Sequence, residues 1–96
     1  MYYRITQATL QPGTYEEAMA TMDSLLESIG KIKGLMNSRL IRISETEVVG
    51  VAAYESKELL EASETAFTTL MSSMIPFLAG PPSVSFGEQV FSVDGE

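Results

Sequence analysis

Tyr54 offers the most chemistry in this chain. It closes the run Val48–Tyr54, where Gly50, Ala52 and Tyr54 fall two apart and therefore share one face of a strand. Two small side chains beside an aromatic leave volume that a ligand can fill, and the hydroxyl supplies a hydrogen bond. Close packing of a helix on the sheet uses small residues too, so both readings stand. Asn37 and Arg39 are also two apart, among the apolar residues Leu35 and Ile41. Polar groups in such company orient a ligand carbonyl or stabilise an enolate or phenolate. More often such a pair marks a partly exposed strand or an interface salt bridge. Phe67 and Met71, one helical turn apart, are the expected wall opposite Tyr54. Tyr54, Asn37, Arg39, Phe67 and Met71 are thus the substrate-binding candidates. Glu58, Glu61 and Glu64 resemble a carboxylate cluster, but three-residue spacing on a polar helix face reads as a solvated surface, and no metal site is expected.

What is missing narrows the chemistry further. The 96 residues contain no His and no Cys. The commonest general base and the usual ligands of zinc, copper and haem iron are therefore absent. No phosphate-cradling glycine motif and no catalytic triad motif occurs, so no cofactor is expected. Thirteen acidic residues against six basic ones give a net charge of −7. That charge disfavours nucleic acid and anionic membranes as partners. No apolar run reaches membrane-spanning length and no leader is evident, so a cytoplasmic protein is expected.

The elements that must position these residues follow from periodicity. Residues 2–10 alternate and are rich in aromatic and β-branched types, predicting a strand that Gln11-Pro12-Gly13 ends. Thr14 with Glu17 reads as a capping box before an apolar stripe of Ala18, Met19, Met22, Leu25, Leu26 and Ile29, with Gly30 as the C-terminal cap. Gly34 opens a strand over 35–43, with Leu35, Ile41 and Ile43 on one face and Met36 and Leu40 on the other. Ser44–Glu47 turns it back into the strand 48–54. Ser56 caps a second helical stretch, which Ser63-Glu64-Thr65 could interrupt and Pro76 should end. Residues 83–93 form a last strand, with Gly87 marking a bulge.

The order βαββαβ predicts a single α+β domain over 1–96. It is ferredoxin-like, a four-stranded antiparallel sheet with two helices on one face. That leaves one face uncovered, yet the strands are apolar on both sides. A second copy of the chain is the simplest cover, so a homodimer built as a dimeric α+β barrel is expected.

The stretch 49–84 resembles the antibiotic-biosynthesis-monooxygenase-like family of dimeric α+β barrel proteins. Tyr54-Glu55-Ser56 stands where members end the third strand with an aromatic, usually Trp, before an acidic-Ser helix start. Glu58-Leu59-Leu60-Glu61-Ala62, Phe67 and Pro76-Phe77-Leu78-Ala79-Gly80-Pro81-Pro82 match later features, and Pro12-Gly13 and Gly34-Leu35 extend the likeness toward the N-terminus. The resemblance implies a pocket between sheet and helices. In some members that pocket oxidises phenolic or quinol substrates with molecular oxygen and no metal or flavin. Others degrade haem, which this chain cannot do without a His ligand. It also departs from the pattern at Tyr54 and at Ser63, where many members carry His.

Two functions follow. One is a cofactor-free monooxygenase-like enzyme acting on a small phenolic or quinol-type molecule. The other is a non-catalytic dimer that binds a small aromatic ligand or a partner. The lack of His, Trp and Cys favours the second, and the resemblance favours the first.

Overall fold

The computed structural model describes residues 1–95. Four strands form one antiparallel sheet: β1 (Tyr2–Thr9), β2 (Leu35–Arg42), β3 (Glu47–Tyr54) and β4 (Ser83–Glu88). Their spatial order is β2-β3-β1-β4, the ferredoxin-like arrangement expected from βαββαβ. Each helical stretch is divided, giving α1 (Tyr15–Ser24), α2 (Leu26–Gly30), α3 (Lys57–Ala62) and α4 (Glu64–Met74). A single 3₁₀ turn, Ile75–Phe77, carries Pro76 at its start, where the missing N–H costs nothing. No helix among the described residues is long and apolar enough to cross a membrane.

The register fixes which residues face the helices. Thr6 pairs with Gly50, Arg4 with Ala52 and Tyr2 with Tyr54. Paired residues share a face. The helix-covered face therefore carries Arg4, Thr6, Ala8 and Leu10 from the first strand and its extension, and Val48, Gly50, Ala52 and Tyr54 from β3. Its core is a cluster of Leu10, Ala18, Val48 and Met74, with Met19, Met22 and Phe77 packed around it. The opposite face carries Ile5, Val49, Val51 and Ala53 and has no covering layer.

Several local expectations give way. β2 contains a register shift between Leu35 and Asn37, so Leu35 pairs with Tyr54 and Asn37 with Ala53. The extra residue, Met36, moves Leu35 onto the helix-covered face, away from Ile41. Thr14 makes no capping bond to the helix. Its hydroxyl donates instead to the Gln11 carbonyl at 2.7 Å, closing the Pro12-Gly13 turn. Ser56 does cap α3, accepting from the Leu59 N–H at 3.2 Å. The left-handed glycine after α2 is Gly34 (φ +83°), not Gly30. A Cβ on Gly34 would lie 2.6 Å from the Leu59 Cβ, so both conformation and space demand glycine there.

The last strand stops at Glu88, not at residue 93. Glu88 pairs with Tyr2, the first residue of β1. Beyond it the Gln89 N–H reaches the Met1 carbonyl at 2.9 Å. Gly87 pairs with Tyr3 in unbroken register, so it is not a bulge. Val90, Phe91 and Val93 are left exposed.

Candidate functional site

Between the sheet and α4 lies a cavity of about 130 Å³. Its floor is Thr6, Gly50 and Ala52, and Phe67, Leu70 and Met71 form its roof. Small floor residues are what keep it open. A Cβ on Gly50 would meet nothing closer than 3.8 Å, the Leu40 side chain. An apolar cavity of about 150 Å³ accommodates benzene in another protein, so this one is the size of a single substituted ring.

Arg4 closes one end. It lies mid-strand on β1 and is 2% exposed. Three hydrogen bonds hold its guanidinium. One N–H donates to the Tyr54 hydroxyl at 3.0 Å. The other terminal nitrogen donates to Ser63 Oγ at 3.3 Å and to Glu64 Oε1 at 2.7 Å. The group also stacks over Phe67, 3.9 Å from the ring centre, with the Tyr54 and Phe86 rings at 5.5 and 5.9 Å. A charge taken out of water needs such partners, because burial without them costs several kcal/mol. Glu64 supplies the counter-charge while remaining half-exposed, 53% by side chain.

The helix break makes this assembly. Ser63 sits between α3 and α4 with φ −87° and ψ 0°, outside both. Its hydroxyl donates to the Leu60 carbonyl at 2.6 Å and turns its lone pair toward Arg4. Glu64 then opens α4, where a carboxylate suits the positive end of the helix dipole. Phe67 follows one turn later on the same face, which puts its ring against the guanidinium.

The predicted residues divide. Tyr54, Phe67 and Met71 border the cavity, and Tyr54 is buried with its hydroxyl committed to Arg4. Arg39 borders it at the β2 rim, but its pairing with Val51 directs the side chain to the open face, where it is exposed and donates to the Ser38 carbonyl at 3.3 Å. Asn37 pairs with Ala53 on the open face and does not border the cavity. Among the described residues no group of three or more acidic, His or Cys side chains could hold a metal. Arg4 was missed because a charge in an alternating strand reads as solvent-facing. Its parity with Ala8 and Leu10 was the available signal.

The chain has the fold of small monooxygenase-like proteins. A protein from Nitrosomonas europaea provisionally named an antibiotic biosynthesis monooxygenase matches with a TM-score of 0.80 at 20% identity, over 95% of this chain and all of the other. A variant of SnoaB, a cofactor-independent oxygenase from Streptomyces nogalater, matches at 0.82 and 9% identity, over 98% of this chain and 97% of that one. A protein of unknown function from Nitrosomonas europaea matches at 0.82 and 13% identity, over 99% and 94%. No protein-family model and no curated protein sequence matches the chain.

Proposed function

We propose that the protein belongs to the monooxygenase-like family whose fold it has, and that it oxidises a small phenolic or quinol-type molecule with molecular oxygen and no cofactor. The observation that carries this reading is the ring-sized cavity closed by Arg4 and Tyr54. An aromatic ring would lie between Gly50 and Ala52 below and Phe67 and Met71 above. Its oxygen would lie at the polar end, within reach of the Arg4 guanidinium as a hydrogen-bond donor. In the overall conversion a phenol and O₂ give a quinone and water. One oxygen atom enters the ring, the other leaves as water, and the phenol supplies the four electrons that O₂ accepts.

A homodimer belongs to the same reading, supported by the uncovered sheet face with Ile5 and Ile41 exposed. So does the cytoplasmic location expected from the sequence. One observation favours the non-catalytic alternative: among the described residues no carboxylate borders the cavity, the chain has no His, and the Tyr54 hydroxyl already accepts from Arg4. Proton removal would then rest on the acidity of the substrate itself.

The test is turnover of electron-rich monocyclic phenols under ¹⁸O₂. The expected result is one labelled oxygen in the product, lost in Ala52→Leu, which fills the cavity. Binding of the phenols without label would leave the ligand-binding protein as the reading. Neither binding nor label would remove both.

A further inference from the structure

The three hydrogen bonds of Arg4 use three of its five N–H groups and leave one of its three nitrogens without a partner. Its Nε is buried and has no hydrogen-bond partner among the described residues. Orphaned donors of this kind are rare in folded proteins, because leaving one unmade forfeits the hydration it had in the unfolded chain. Here the donor belongs to a side chain that borders an apolar cavity large enough for one ring. We infer that the Arg4 Nε–H is the recognition group for an uncharged ligand, an aromatic ring bearing one hydrogen-bond acceptor oxygen such as a carbonyl or phenol oxygen. The inference rests on the reading of the cavity as a ligand site and names the feature that the ligand must carry.

The charge balance selects an uncharged ligand. The Glu64 carboxylate, 2.7 Å from the guanidinium, already neutralises it. A ligand carboxylate entering the cavity would bring a second negative charge against one positive group, in a site with little water to screen it. A neutral acceptor gains the hydrogen bond without that penalty. Leu70, Met71 and Phe67 offer only apolar contact, and the lining's other polar side chains are Thr6, Ser38, Arg39 and Tyr54, of which only Arg39 carries a charge. Glu64 is accordingly a positioning residue. It holds Arg4 in place and cancels its charge without reaching the ligand.

Three single-ring probes separate the outcomes: acetophenone, its near-isostere ethylbenzene, and benzoate. Binding is followed by NMR on the wild-type protein, through the cavity methyl groups of Leu70 and Met71 and through the Arg4 Nε–H resonance. The expected result is that acetophenone and ethylbenzene both shift the methyl signals, and that acetophenone alone shifts the Nε–H. Arg4→Met should lower the affinity ratio of acetophenone to ethylbenzene roughly tenfold or more, the scale of a hydrogen bond to a charged donor. Benzoate should bind the wild type more weakly than acetophenone, and Glu64→Gln should strengthen benzoate several-fold. The inference is overturned if saturating acetophenone moves the methyl signals but not the Nε–H, or if benzoate is the tightest of the three on the wild type. Should no probe move the methyl signals, the cavity is not a ligand site and the proposed function itself fails. The Nε–H measurement needs no variant, so the inference stays testable even if Arg4→Met does not fold.

Discussion

β3 presents two apolar faces that meet different fates. Gly50, Ala52 and Tyr54 look toward the helices, and the space above the two small residues stays unfilled. Val49, Val51 and Ala53 look the other way, onto a face with no second layer, yet Ala53 is fully buried while the cavity-side Ala52 is not. Adjacent alanines thus occupy opposite regimes. Beneath the helices smallness makes room. On the open face Ala53 has its space already taken by its neighbours. The side that looks closed holds the vacancy, and the side that looks open has none at this position. Apolar composition alone does not distinguish a floor from a filler.

The largest expected effect lies in the core beneath the helices. Leu10 is 1% exposed, and Leu10→Ala should cost roughly 2–5 kcal/mol in denaturant unfolding, the range for truncating a buried leucine. A loss below that range would mean the helix-covered face is looser than its burial suggests.

The two alanines give the next effect and the sharpest contrast. Ala53→Leu must force a side chain into filled space and should cost about 1–3 kcal/mol. Ala52→Leu enters the cavity and should leave stability within about 1 kcal/mol of the wild type while removing acetophenone binding. Equal losses at both positions would erase the distinction between the faces.

The smallest change in folding stability is expected at Ile41, 47% exposed on the open face. Ile41→Lys should alter unfolding of the isolated chain by no more than about 0.5 kcal/mol. Sedimentation equilibrium should nevertheless fall from twice the 10.5 kDa chain mass to a single chain. A wild type that already sediments as one chain would remove the proposed dimer, leaving the cavity argument intact.

Much of this was legible in the sequence, and what escaped has physical causes. The parity of Val48–Tyr54 placed Tyr54, Gly50 and Ala52 together, and Ser63-Glu64 marked the helix break. Local rules reach that far. The shift at Met36 depends on how β2 pairs with β3, which no spacing within β2 reveals. The end of β4 depends on where β1 begins, more than eighty residues earlier in the chain. Arg4 is the clearest case. Its partners Tyr54, Ser63 and Glu64 lie 50, 59 and 60 positions away. A buried arginine is credible only once those partners are known.

The sheet order has a consequence for the chain while it is being made. β1 leaves the ribosome before β3 and β4, yet it lies between them in the finished sheet. Its two hydrogen-bonding edges therefore wait, one for residues 47–54 and the other for residues 83–88. During that interval Tyr2–Leu10 is a β-prone segment with both edges open, the kind of template on which nascent chains associate. Arg4 is the one charge within it. Charges in such runs act as gatekeepers against strand-to-strand association. The residue that closes the cavity in the folded protein thus also guards the same strand before the fold exists.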